Sequence, residues 1–434
     1  MTKPHPQLDA WVDAHFDEEL RFLQALVQVP TDTPPGNNTP HAQRTAELLK
    51  GFGFDAEQHA VPEADVKSHG LQSITNLIVR RRYGQADGNG SGKGSGKGSG
   101  KGSGKGSGKG SGKTIALNAH GDVVPPGEGW THDPYGGEIV GGKLYGRAAA
   151  VSKCDFATFT FATRAIESLQ APLNGAVELH FTYDEEFGGE LGPGWLLQHG
   201  LTQPDLVIAA GFSYQVVTGH NGCLQLEVTV HGKTGHAAVP ETAVDALQAA
   251  TLILNALYHQ NTLNRQITSK VQGITHPYLN IGLIEGGTNT NVVPGKVVIK
   301  LDRRMIPEEN PAEVEATLRR VIKQAVAGSA GITVDIKRLL LAHALKPLPG
   351  NQPLVDALCQ HASAVFGEPI HASGTPLYTD ARLYCERGIP AVLYGCGPRT
   401  VLQSNAKRGD EHIEIEDLRR ATKVVARTLF DLLQ

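Results

Sequence analysis

No run of about 18 consecutive apolar residues occurs in this chain of 434 residues, so no segment is expected to span a bilayer. Cysteine is scarce. The five residues (Cys154, Cys223, Cys359, Cys385, Cys396) are odd in number and lack C-x-x-C spacing, which excludes both a disulfide framework and a cysteine-based zinc site. Methionine occurs twice and aromatics make up 6%, too little for an adaptable peptide-binding groove or a base-stacking platform. An excess of positive charge is also missing. Lys and Arg number 40 against 44 Asp and Glu, and six of the Lys sit in one repeat, leaving 34 against 44 elsewhere. A nucleic-acid-binding body would need a basic face instead. The opening segment Met1–Leu20 is polar and amphipathic, without a basic stretch followed by an apolar core, so the expectation is a cytoplasmic protein.

What is present is a globular composition, with 40% apolar and 19% charged residues, over a length that favours more than one domain. One composition break stands out: Gly90 to Lys113 is six copies of Gly-Ser-Gly-Lys, following the polar stretch from Gly84. Such a tract cannot bury apolar surface, and residues 84–113 read as a flexible loop of hairpin type between the strand-like runs at Thr75–Arg80 and Thr114–Ala119. Beyond it, strands near 114–118, 175–182 and 206–210 alternate with helical patterns near 152–169 and 192–199. This predicts an α/β catalytic domain with a mostly parallel central sheet. From Cys223 the texture changes to alternating strands and helices (near 241–257 and 311–327) in β-α-β-β-α-β order, the split ferredoxin-like pattern. The α/β texture returns after 343 and closes with a helix near 415–433. Residues 1–221 and 344–434 therefore read as one domain and 222–343 as an inserted α+β unit.

Two clusters carry chemistry. His120-Gly-Asp122 ends a buried strand, and a carboxylate two residues on can hold an imidazole in one tautomer with its other nitrogen turned to a metal. Asp184-Glu185-Glu186 ends the next strand, where adjacent carboxylates suit a division into general base and metal ligand.

These clusters belong to a longer series of blocks: Leu117–Pro125, Leu144–Ala150 (which contains Arg147), Thr182–Gly189, Gly232–Pro240, Asn289–Pro294, Leu301–Arg304, Thr379–Arg382 and Gly388–Gly395. In order and spacing the series resembles the di-zinc metallohydrolases that include aminoacylase, acetylornithine deacetylase, succinyl-diaminopimelate desuccinylase and carboxypeptidase G. The resemblance implies amide-bond hydrolysis and assigns the inserted unit to dimerisation or to a lid, hence a homodimer. By the same resemblance, His120 would bind metal and be oriented by Asp122, Glu185 would be the general base and Glu186 a metal ligand. His236 would stabilise the oxyanion across the dimer, and Asn291 and Arg304 would grip the carboxylate of a small-molecule substrate.

The departures are as informative as the matches. The position of the metal-bridging Asp is Val151, that of a strand-end acidic ligand is near Gly211, and that of the last His is Lys407. Three of the five expected ligands are absent. A reduced site of His120, Glu186 and Asp155, the last one helical turn past Val151, would hold one divalent ion (Zn, Mn or Co). With no ion at all, the Lys407 amine would take over a carboxylate or an oxyanion. Three readings result: an amide hydrolase of an N-acyl amino acid or small peptide with a reduced or rearranged metal site, a metal-independent isomerase, epimerase or lyase acting on a carboxylate, and a non-catalytic descendant. No nucleic-acid or membrane partner is expected. Tyr183, Ser213, Tyr214, His220 and Tyr378 are candidates for the pocket lining.

Overall fold

A computed structural model describes residues 5–84, 112–400 and 402–434. The strand Thr114–His120 is apolar and buried on both faces, which requires cover on both sides of its sheet. Part of that cover is the helix Lys153–Ser168. It is buried almost all round, with Phe156 stacked on Phe181 of the sheet at 4.0 Å between ring centroids. The amphipathic helix Ile415–Leu432 packs against it through Leu418, Val425 and Leu429.

The central sheet has eight strands in the order Ala56–Ala60, Thr75–Tyr83, Gly175–Thr182, Thr114–His120, Leu206–Ala209, Ala391–Leu393, Val216–His220, Ala372–Thr375. It is a mixed sheet in which parallel neighbours outnumber antiparallel ones. Four neighbouring pairs run parallel, and three run antiparallel. Thr75–Tyr83 pairs antiparallel with Gly175–Thr182, which lies between it and Thr114–His120, so the chain from 84 to 113 closes no hairpin. Its two ends meet the same turn: a Cβ on Gly84 would touch the Leu173 carbonyl at 2.7 Å, and one on Gly112 the Asn174 backbone at 2.5 Å. The Gly-Ser-Gly-Lys repeat lies outside the described residues except for its last two, 112 and 113.

Residues 222–342 build a second, antiparallel sheet in the order Tyr278–Gly286, Lys296–Met305, Gly222–His231, Thr333–Ala342. Helices Ala246–Asn264 and Pro311–Ala325 complete it, with a separate core that includes Leu224, Val228, Ile253, Ile299 and Leu318. The first of these helices begins at 246 rather than near 241. Pro240–Thr242 forms only one tight turn, and the Asp245 side chain caps the backbone N–H groups of Leu247 and Gln248.

The helix His5–Val27 buries one carboxyl group, that of Glu19, whose Oε1 is 2.6 Å from the Thr422 hydroxyl and whose Oε2 has no partner. Burial pushes this group up to about 8, against the pull of Thr422, Arg419 and Arg164. A carboxyl raised on folding favours the folded state fully below its unfolded value near 4.5, and that contribution is lost as pH rises through about 8. Glu19→Gln should therefore stabilise the protein at pH 9 relative to pH 5, by an amount on the order of a few kcal/mol. Melting curves of both proteins across this range test it, and a difference independent of pH would refute it.

Candidate active site

Beyond the carboxyl ends of Thr114–His120, Leu206–Ala209 and Ala391–Leu393 lies a cavity of about 380 Å³, lined in part by the last residue of each strand, His120, Ala209 and Leu393. Ligand crevices of α/β sheets form at this edge. Most of the wall is apolar, including Ala150, Val151, Phe212 and Leu377, while His120, Glu185, Asp155, Asp380, Arg304 and Lys407 bring charge to it.

The His120 ring is fixed through Nδ1, 3.0 Å from the Asp122 carbonyl and 3.4 Å from that residue's carboxylate. Its Nε2 is left facing Glu185 Oε2 at 3.9 Å. The Asp122 carboxylate also accepts the backbone N–H groups of Glu185 (3.2 Å) and Glu186 (3.0 Å), so one buried side chain sets both the imidazole and the acidic turn. Burial pushes Glu185 up to about 7, with Glu186 and Asp122 adding to the rise and His120 and Lys407 opposing it. For His120, burial favours the neutral ring, yet the carboxylates of Glu185 and Asp122 outweigh it and raise the ring to about 10. The result is an imidazolium beside a carboxyl that titrates near neutrality, the poise a general base requires.

Lys407 is half-exposed at the cavity rim, with Nζ 2.6 Å from Glu186 Oε2. Arg304, at the end of the strand Lys296–Met305, reaches the cavity from the second sheet. Asp302 holds its guanidinium through two hydrogen bonds (2.7 and 3.3 Å), and the group lies 5.3 Å from the Tyr378 ring centre. His236 and Asn291 are adjacent to one another, since Ala237 N–H donates to the Asn291 carbonyl and His236 pairs with Val292. Both are exposed, and neither lines the cavity of its own chain.

Asp155 and Val151 both line the cavity, although Val151 precedes the helix Lys153–Ser168 and is not one helical turn from Asp155. The Asp155 carboxylate is turned into backbone: Oδ1 accepts the Cys396 N–H at 2.9 Å, and a Cβ on Gly395 would run into it. Burial raises Asp155 to about 7, opposed by the amides of Cys396 and Gly211. Among the described residues, the sets of three donor groups assembled within 4.8 Å of one another are His5, His361 and Asp431, and Cys154, Asp155 and Cys396. His120, Glu186 and Asp155 do not form such a set.

Of the candidate lining residues, only Tyr378 lines the cavity. Tyr183 is fully buried against His41, Ser213 donates to the Gly395 carbonyl, Tyr214 donates to Asp417, and His220 accepts the Thr379 N–H. Asp380 did not figure among the sequence candidates, although Thr379-Asp380-Ala-Arg382 was one of the matching blocks. It lines the cavity with Oδ2 unpartnered, and burial together with Glu185 raises it to about 8.

An α/β sheet with paired carboxylates at its carboxyl edge and an inserted antiparallel unit leaning an arginine into the cleft is the arrangement of a hydrolytic enzyme. The chain belongs to peptidase family M20/M25/M40, whose family model matches residues 116–431. A succinyl-diaminopimelate desuccinylase of Gluconobacter oxydans is 31% identical over 329 residues, covering 71% of this chain and 79% of that protein. Among solved structures, the di-peptidase Dug1p of Saccharomyces cerevisiae superposes with a TM-score of 0.74 at 13% identity, covering 100% of this chain and 99% of that one. The YXEP protein of Bacillus subtilis, described as a dinuclear metal binding peptidase from the M20 family, gives a TM-score of 0.64 at 18% identity, covering 97% and 99%. The chain is an amide-bond hydrolase by this kinship, which does not favour the isomerase, epimerase or lyase reading.

The residues present do not fit a pair of divalent ions. Positions 151 and 211 offer no donor side chain, Glu186 Oε2 takes the Lys407 ammonium and leaves only Oε1 without a partner, and Asp155 Oδ1 is taken by the Cys396 N–H. Two close cations need a bridging anion to offset their repulsion, and a valine supplies none.

Proposed function

We propose that this protein hydrolyses the amide bond of an N-acylated amino acid or small peptide, using Glu185 as general base and Arg304 to hold the carboxylate of the substrate. The observation that carries the reading is the placement of Glu185 on the wall of a cavity that also receives a guanidinium, with its Oε2 3.9 Å from the His120 ring and its backbone N–H held by Asp122. Water delivered to the amide carbonyl gives its proton to Glu185, which passes it to the departing amine. Positioned proton transfer of this kind contributes about 10²- to 10⁴-fold. The desuccinylase relative points to N-succinyl amino acids within the class.

A homodimer completes the reading. The edge strand Tyr278–Gly286 exposes Leu283 and Ile284, and the helix Ala246–Asn264 exposes Leu247, Leu252 and Tyr258, an apolar surface that a second copy would cover. That copy would bring His236 and Asn291 to the cavity, where an imidazole and an amide suit an oxyanion and a carboxylate. Among the described residues no helix is long and apolar enough to cross a membrane, and we place the enzyme in the cytoplasm.

The test is a panel of N-succinyl and N-acetyl amino acids and dipeptides, each also as its C-terminal carboxamide, assayed for release of free amine. We expect at least one acyl class to be cleaved, with the carboxamide about 10- to 100-fold slower and Arg304→Met removing that preference. No amine release from any member, or equal rates for acid and carboxamide, would contradict the reading.

A further inference from the structure

Three carboxyl groups, those of Asp155, Glu185 and Asp380, line the cavity, and segment 404–411 delivers a cation to it. In segment 404–411, Asn405, Lys407 and Asp410 all adopt left-handed backbone conformations (φ of 52°, 63° and 55°), which side-chain-bearing residues avoid. Such geometry persists only where its surroundings hold it. Here Glu411 Oε2 accepts the Lys407 N–H at 3.3 Å, while the Asp410 carboxylate accepts both Thr131 N–H (2.8 Å) and His132 N–H (3.1 Å). Glu411 itself is anchored by the fully buried Arg147 at 2.6 Å and by the Ala150 N–H at 3.2 Å, so the loop is tied to the cavity wall at Ala150. The side chain that this loop projects ends 2.6 Å from Glu186 Oε2, beside Glu185, in a cavity that Val151, Gly211 and Ala406 also line.

We infer that the Lys407 ammonium, rather than a pair of divalent ions, is the cationic electrophile of this cavity. It neutralises Glu186 and takes the negative charge that forms on the amide oxygen. The inference rests on the hydrolytic reading above and deepens it. The step balances with water alone. As the water oxygen bonds to the carbonyl carbon, its proton goes to Glu185 and the carbonyl electron pair moves onto oxygen beside the ammonium. As that pair returns, the C–N bond breaks and the amine takes the proton from Glu185. A point cation on a flexible stem suits this task, because it follows the oxygen as the carbon becomes tetrahedral.

The experiment uses the purified full-length protein, incubated in turn with Zn²⁺, Mn²⁺ and Co²⁺, desalted, and analysed for metal per protomer. The same samples are assayed on the N-acyl panel with and without 1,10-phenanthroline, alongside Lys407→Met checked for folding by circular dichroism. Expected results are substoichiometric metal with every ion, turnover indifferent to the chelator, and a loss of about 100-fold or more in kcat for a folded Lys407→Met. One or two ions per protomer, released by His120→Ala or Glu186→Gln, would overturn the inference, as would a folded Lys407→Met with wild-type kcat. If the panel yields no amine at all, the hydrolytic reading fails on its own, while the metal content still decides whether Lys407 has replaced the ions.

Discussion

Glu185→Gln should lower kcat by about 10³-fold, leave KM within a few-fold, and leave the fold unchanged. The amide is isosteric with the carboxyl and keeps the backbone N–H that Asp122 accepts, so the acidic turn stays in place. What is lost is the carboxyl whose Oε2 lies 3.9 Å from His120 Nε2 on the cavity wall. Glu186→Gln is the informative control. It removes the partner of Lys407 and should also lower kcat, but by disturbing where the ammonium sits. A Glu185→Gln protein within tenfold of wild type would mean that some other group moves the proton.

Arg147→Met should be the most destabilising single change near the site, by about 3–5 kcal/mol, because it leaves Glu411 as an unpaired charge in the interior. Arg147 is fully buried, donates to Glu411 Oε2 and to the Pro126 carbonyl at 2.6 Å each, and lies 5.1 Å from the Trp130 ring centre. Removing both partners, as Arg147→Met with Glu411→Gln, should cost less than the sum of the two single changes, since neither is then stranded. Urea midpoints of the four proteins measure this coupling, and strict additivity would refute it. The single variants should lose turnover even where they stay folded, because Glu411 holds the Lys407 and Ala150 amides.

The elements were legible where apolar runs are long. Thr114–His120, Gly175–Thr182 and the closing helix Ile415–Leu432 lie within a few residues of their hydrophobic patterns. Strand neighbours were not legible, because a buried strand reads the same whichever strand it pairs with. Thr75–Tyr83 is next in sequence to the repeat and to Thr114–His120, yet it pairs with Gly175–Thr182. At the site, the sequence drew attention to Asp155, which lines the cavity, but by a helical period counted from Val151, which the helix Lys153–Ser168 does not include. The sequence could not show that Cys396, 241 positions further on, would supply a backbone N–H to that carboxylate. Nor could it reveal the Arg147 and Glu411 pair, 264 positions apart, that supports the Lys407 loop. Lys407 itself was visible as an amine standing where the resemblance places a histidine. Its contact with Glu186 needed the fold.

The most direct measurement is the mass spectrum of products formed from the N-acyl amino acid panel in H₂¹⁸O. Hydrolysis by a water that Glu185 activates predicts free amine together with a released acid carrying one ¹⁸O in its new carboxylate. An altered substrate with its amide bond intact, or an acid product without ¹⁸O, would contradict amide hydrolysis in this cavity.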